Sequence, residues 1–258
     1  MTVALAATEF GVGPAVAVLH GLFGSGRNWT SIGRSLAAHH RVLLFDLRNH
    51  GSSPWTDGMS YEAMAADVQA ALAARGLDRA ALIGHSLGGK VAMALALAAP
   101  KAVTRLLVVD IAPVPYPPTL LAHLRAMQDL DLTQIRRRSE ADRPLAGAVP
   151  DPAERAFLLQ NLVFEEGRAH WRINLAAIAA GMPLISGFPA FPGRSYDGPA
   201  LFVAGGRSPY LRPEHESAIR SRFPAARVVR IAEAGHWVHA EAATAFLALA
   251  APFLAGES

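Results

Sequence analysis

The stretch ALIGHSLGGK, residues 81–90, leaves this chain few ways to fold. An apolar run ends in Gly84-His85-Ser86-Leu87-Gly88-Gly89, and helix-forming KVAMALALAAP follows at once, stopped by Pro100. A serine caught between strand and helix sits in a tight turn with strained backbone angles, so small residues must flank it. Such a turn lifts the hydroxyl clear of the sheet and points a helix N-terminus at it, where the positive end of the dipole favours developing negative charge. The pattern G-x-S-x-G alone is a frequent accident. Placed between a strand and a helix, it demands a βα unit with Ser86 exposed at the carboxyl edge of a parallel sheet.

The rest of the chain supplies such a sheet. VALAATEF and PAVAVLHG, joined by GVGP, read as a strand pair, and RVLLFDL (41–47) reads as a buried strand. Ser60 is an N-cap for a helix that ends at Gly76, and VTRLLVVDIAP (103–113) is the strand after the serine helix. Residues 114–197 break the rhythm: they open with PVPYPP, run through helical stretches at 119–130, 152–164 and 169–180, and close with GFPAFPG. PALFVAGG, PEHESAIRSRF, ARVVRI and AATAFLALAAPFL then resume strand, helix, strand, helix. The expectation is an α/β fold whose mostly parallel central sheet is flanked by helices, with a core of residues 1–113 and 198–258 and an inserted helical cap of 114–197. With 258 residues, 52% of them hydrophobic, the chain has ample material for that core.

Among ten histidines, His236 in EAGHW (233–237) is the best general base, in a short loop after the last strand and in the chain order serine, acid, histidine. His85 is read as structural, His239 as a weaker competitor, and His39, His40, His50, His123, His170 and His215 as surface or loop residues. HGLFGS (20–25) forms a glycine-rich loop beside the nucleophile. The amide of Leu22, paired with that of Leu87, would make an oxyanion hole, with His20 bracing the loop. The position that should hold the acid, after the glycine turn of LFVAGGRSPYL, holds Ser208. Asp46 lies on the wrong side of the nucleophile, Asp197 precedes its strand, Glu233 has no route back to the histidine, and Asp129, Asp131 and Asp142 lie in the cap. Asp110 ends the strand next to the nucleophile strand on the catalytic face, one strand earlier than usual. Its plainer reading is a strand-end aspartate capping the IAP turn. Ser208 would then hold Asp110 or His236 in register by a hydrogen bond.

Taken together, HGLFGSGRNWTSIGRSLA, VLLFDLRNHGSSPW, GHSLGGKVAMALAL, VVDIAPVPY, GGRSPYL and GHWVHAE resemble the α/β-hydrolase superfamily, and more closely its YbfF-like esterases and their abhydrolase-domain relatives. In the cap only WRINLAAI (171–178) shares the likeness. The resemblance implies hydrolysis of carboxylic esters or thioesters without a cofactor, and it places the acid at Asp110 with a serine at 208. On this reading Ser86 attacks, His236 moves the proton and Asp110 orients it. Phe23, Trp29, Met182, Phe188, Tyr210 and Trp237 are the candidate pocket residues, suited to acyl chains of short to medium length. Aminopeptidase, C–C bond hydrolase and perhydrolase chemistries use the same triad. A small-molecule receptor with vestigial turnover is the rival from another class.

No metal site is expected, and the absence of cysteine removes thiolate ligands and disulfides. A net charge of +3, scattered along the chain, gives no footprint for nucleic acid. The run Arg136-Arg137-Arg138 reads as a solvated helix face, with a phosphate or coenzyme A contact as the alternative. No apolar run is long enough for a bilayer and the N-terminus enters strand-like sequence directly, so a soluble cytoplasmic protein without membrane or nucleic-acid partners is the expectation.

Overall fold

The computed structural model describes residues 1–257. Strands β1 (Ala7–Phe10) and β2 (Ala15–Leu19) precede α1 (Thr30–Leu36), β3 (Arg41–Phe45), α2 (Tyr61–Ala73), β4 (Ala80–His85), α3 (Leu87–Ala98) and β5 (Val103–Val109). Next come α4 (Leu121–Gln128), α5 (Arg138–Leu145), α6 (Pro152–Leu159), β6 (Leu162–Glu165), β7 (Arg168–Trp171) and α7 (Leu175–Ser186). The chain then returns through β8 (Ala200–Gly205), α8 (Glu216–Arg220), β9 (Ala226–Ile231), α9 (Val238–Glu241) and α10 (Ala243–Ala255). Seven strands form one sheet in the order β1-β3-β2-β4-β5-β8-β9, parallel throughout except for the β1–β3 pair.

Buried side chains alternate along each central strand, as a period of two requires. On β4, Leu82 packs into one core and Ala81 and Ile83 into the other; on β5, Leu106 and Val108 oppose Leu107 and Val109. The first core lies under α2 and α3 and continues into the insertion, and the second lies under α1 and α10. Both faces of the sheet are thereby covered, which is why its strands read as unbroken apolar runs. Ser60 caps α2 by accepting the Ala63 N–H at 3.2 Å.

Two expectations are corrected. β1 does not pair with β2 but lies antiparallel against the outer edge of β3, with Ala7 opposite Phe45. β2 has no free edge for it, because the α1 crossover sets β3 on one side and β4 takes the other. Within 114–197, the helices expected at 152–164 and 169–180 give way in the middle to a hairpin of β6 and β7. Glu166 and Gly167 between them both have positive φ, 50° and 75°, the backbone of a two-residue hairpin turn. The β-favouring Val163 and Phe164 and that Glu-Gly pair were the signal for it.

Candidate active site

Ser86 ends the run from β4 and precedes the first residue of α3, with φ 51° and ψ −116°. Packing imposes this strain. A Cβ at Gly84 would overlap the Gly88 carbonyl, and one at Gly88 would overlap the carbonyl oxygens of Leu19 and His20. The elbow is thus pressed against the end of β2 with no room for a side chain on either side. Leu87 opens α3, so its N–H has no intrahelical acceptor. Across from it runs the loop of residues 20–25, so close that a Cβ on Gly21 would lie 2.8 Å from His85 Nδ1 and 3.3 Å from the Ser86 Cβ. Among the described residues, the Leu22 N–H has no protein acceptor.

Two buried imidazoles pin that loop. His20 Nε2 accepts the Leu47 N–H at 3.0 Å, which leaves its Nδ1 hydrogen for the Gly21 carbonyl at 2.8 Å. His50 Nε2 accepts the Phe23 N–H at 3.3 Å, while its Nδ1 donates to the Arg48 carbonyl at 2.9 Å. Each ring acts as acceptor and donor at once, so both are neutral. Burial drives both below the ordinary histidine value, His50 to about 3 with the neighbouring His20 adding to the effect. His50, read from sequence as a surface or loop residue, is fully buried, and His40 is buried as well. Asp46 braces the loop from the other end, accepting the N–H groups of Gly26 at 2.7 Å and Ser52 at 2.8 Å.

Asp110 follows β5 with φ 52°, a left-handed conformation that aspartate tolerates better than most residues. Its side chain is wholly buried and every interaction it makes suits a carboxylate. Oδ1 accepts the Gly205 N–H at 2.9 Å. Oδ2 accepts the Ser208 hydroxyl in a short hydrogen bond and the His236 Nδ1–H at 2.7 Å. Ser208 Oγ in turn accepts the Tyr210 N–H at 3.2 Å. The structure therefore brings Asp110, Ser208 and His236 into one hydrogen-bonded cluster. A hydrogen on Nδ1 leaves the Nε2 of His236 as the basic nitrogen. Tyr210 stacks on the imidazole, centroids 4.1 Å apart, and Glu241 holds the histidine loop by accepting the N–H groups of Gly235 at 2.7 Å and Trp237 at 3.2 Å.

His85 donates Nε2–H to the His236 carbonyl at 2.9 Å, and burial together with the nearby His236 keeps it neutral. His239 is buried against Trp29, rings 3.9 Å apart, its Nδ1 has no partner, and burial depresses it to about 3. It does not reach the cluster.

Ser86 lies between two cavities. The larger, of about 300 Å³, is lined by His236, Phe23, His123, Glu154, Phe157, Leu158 and Trp237 among others. The smaller, of about 70 Å³, is lined by Leu87, Lys90, Tyr61, Tyr116, Met182 and Ile185 among others. Leu22, Ser86, Leu120 and Tyr210 border both. Trp29 and Phe188, expected to line the pocket, line neither cavity. Trp29 packs in the second core against His239 and Phe246, and Phe188 packs against Tyr61 and Phe191. Of the basic run, Glu140 Oε1 pairs with Arg137 Nε at 2.9 Å and Glu140 Oε2 accepts the Arg136 N–H at 2.8 Å, while Arg138 donates to the Leu162 carbonyl at 2.9 Å. Sequence reasoning missed Lys90, Tyr116, His50, Glu241 and Asn161, whose side-chain amide ties the insertion to the Phe23 carbonyl at 2.8 Å.

Among the described residues, no cluster of three or more His, Asp or Glu side chains is arranged for a metal ion, and no helix is long and apolar enough to cross a membrane.

A family model described as the alpha/beta hydrolase fold matches residues 14–243. The sn-1-specific diacylglycerol lipase ABHD11 of Mus musculus is 42% identical over 250 residues, covering 94% of this chain and 81% of that protein. Esterase YbfF of Escherichia coli (strain K12) is 38% identical over 240 residues, 90% of this chain and 89% of that one. Among solved structures, a marine microorganism esterase superposes with a TM-score of 0.94 at 35% identity, over 98% of this chain and all of that one.

Proposed function

The chain belongs to the alpha/beta hydrolase fold family and is a carboxylic ester hydrolase, and from that premise we propose that it cleaves esters and thioesters of short to medium acyl chains through an acyl-enzyme on Ser86. The observation that carries the mechanism is the 2.7 Å contact between Asp110 Oδ2 and His236 Nδ1, at a histidine that lines the same cavity as Ser86. His236 takes the hydroxyl proton as Ser86 Oγ bonds to the substrate carbonyl carbon. The oxyanion lies against the N–H groups of Leu22 and Leu87. On collapse, His236 passes that proton to the leaving oxygen or sulfur as its bond to the acyl carbon breaks. Water then repeats the sequence on the acyl-enzyme and frees the acid.

Asp110 fixes the tautomer and stabilises the imidazolium. Ser208, the residue found where the acid is usually expected, positions that carboxylate. Because His236 must protonate the leaving group, the leaving group occupies the larger cavity, on the histidine side. The acyl chain then lies in the smaller cavity, which borders Ser86 and Leu87 but not His236. The residues of the insertion supply walls to both.

Titration with a fluorophosphonate, followed by rates on p-nitrophenyl esters from acetyl to dodecanoyl, tests this reading. Stoichiometric labelling of Ser86, and rates highest for the shorter chains, are expected. A serine that labels slowly or not at all would favour the small-molecule receptor instead, and a dodecanoyl optimum would reverse the assignment of the two cavities.

A further inference from the structure

Lys90 is buried to 2% exposure, yet the mechanism above gives it no task. It follows Ser86 by four residues, in the first turn of α3, and both residues line the smaller cavity. That cavity has a volume of about 70 Å³. Nζ donates to the Gly187 carbonyl at 2.6 Å and weakly to the Ser186 carbonyl at 3.5 Å, and it faces the ring of Tyr116 at 4.7 Å and that of Tyr61 at 5.7 Å. Among the described residues no carboxylate pairs with it. Desolvation with no compensating anion pushes it down to about 7, the direction expected of a buried unpaired lysine.

The two tyrosine hydroxyls that border the cavity are engaged. The Tyr61 hydroxyl donates to the Ile185 carbonyl at 2.6 Å, and the Tyr116 hydroxyl donates to the Tyr210 carbonyl at 2.6 Å. An ammonium has three hydrogens, and two carbonyls leave one for a ligand. Asp110 is fully buried and held by Gly205, Ser208 and His236. Glu154 lines the opposite cavity. The titratable groups on the two sides of Ser86 therefore differ, with a lysine on the acyl side and a glutamate on the leaving-group side.

We propose that Lys90 reads the far end of the acyl group, and that the preferred substrates are esters or thioesters of short dicarboxylic acids, whose free carboxylate pairs with this ammonium while Ser86 attacks the esterified end. This inference rests on the acyl-enzyme reading and on the acyl chain lying in the smaller cavity. A bound carboxylate supplies the missing counter-charge, and the small volume of the cavity that Ser86 and Lys90 both line, about 70 Å³, limits the chain to a few carbons.

The test compares kcat/KM for monomethyl succinate and monomethyl glutarate with methyl butanoate and methyl pentanoate, read by acid release in a pH-stat. In wild type at neutral pH, at least one half-ester is expected to exceed its neutral counterpart by about tenfold or more, the range of a hydrogen bond to a charged group. In Lys90→Met the ratio of half-ester to neutral ester is expected to fall by at least about tenfold. A lysine that only ties the end of α7 to the core would lower both rates together and leave the ratio unchanged, which would overturn the proposal. A wild-type measurement needs no variant: succinate is expected to inhibit methyl butanoate hydrolysis competitively and at least about tenfold more tightly than butanoate does. Equal inhibition by the two acids would also overturn it. Hydrolysis of neutral esters without a half-ester preference removes this inference alone, whereas no hydrolysis of any ester removes the proposed function beneath it.

Discussion

The carboxyl edge of the sheet and the segment between β5 and β8 both border the cavities at Ser86, but they are held in different ways. At the sheet edge, backbone touches backbone: Gly84 and Gly88 have no room for a methyl group, and Gly205 lies directly against the Gly235 carbonyl. Its polar groups are buried and engaged, as Asp110, His20 and His50 illustrate. Segment 114–197 is held in good part by side chains, the Phe23–Asn161 and Lys90–Gly187 contacts among them, with backbone bonds at points such as Asn174 N–H to the Asn49 carbonyl, 3.0 Å. Catalytic geometry needs positions fixed to a fraction of an ångström, and close-packed backbone provides that. Substrate choice needs walls that can vary, and side chains on an inserted segment provide those.

Breaking the sheet edge should have the larger effects. Gly88→Ala forces the elbow away from β2, and kcat/KM should fall about 100-fold or more, with a stability loss of about 2 kcal/mol in urea. An active, stable variant would mean that the elbow tolerates displacement. Ser208→Ala removes one donor to Asp110 and one acceptor for the Tyr210 N–H. A fall in kcat of about tenfold, with a changed pH profile, is expected. If turnover and profile both stay as in wild type, Ser208 does not position the acid.

Effects in the insertion should be smaller and of another kind. Phe157→Ala enlarges the larger cavity beside Trp237, with which Phe157 makes an aromatic contact at 5.5 Å. KM for aryl esters should rise about threefold, consistent with loss of one aromatic contact, while kcat moves little. A dominant loss in kcat would place Phe157 closer to the chemistry than its cavity position implies.

A further prediction, away from Ser86, concerns acid sensitivity. His50 and His239 are depressed to about 3 in the folded protein against 6.5 unfolded, by burial first and by neighbouring imidazoles second. The unfolded chain therefore binds protons that the native state refuses. The stability these histidines contribute is fully present above pH 6.5 and is lost as pH falls toward 3. His239→Phe should preserve the stack on Trp29 and reduce the slope of stability against pH in that window by up to about 1.4 kcal/mol per unit. An unchanged slope would mean that His239 titrates alike in both states.

The same contrast decides what the sequence alone could reveal. The elbow, the loop of residues 20–25 and the histidine loop leave compact signatures because glycine and histidine are required at fixed offsets, so Ser86, Leu22, Leu87 and His236 could be singled out directly. Asp110 emerged from strand order together with a family resemblance. Its left-handed backbone and its three partners depend on β8 and α9, which no local pattern encodes. The β6–β7 hairpin lay within a stretch of mixed propensity, and the position of β1 depended on β3 occupying the edge of β2. Lys90 was hidden within an apolar helix, where one lysine resembles a snorkelling surface residue. Trp29 and Phe188 were misplaced for the opposite reason: large aromatic residues near a catalytic loop are more often core than pocket.

The role of Asp110 is tested most directly by kcat/KM for p-nitrophenyl butanoate on wild type and Asp110→Asn side by side, with folding checked by circular dichroism. An amide at this position can present N–H to His236 Nδ1 and favour the wrong tautomer, so a fall of about four orders of magnitude in a folded protein is expected. Turnover close to wild type in the folded variant would move the orienting acid elsewhere and leave the buried carboxylate as a brace between β5, β8 and the histidine loop.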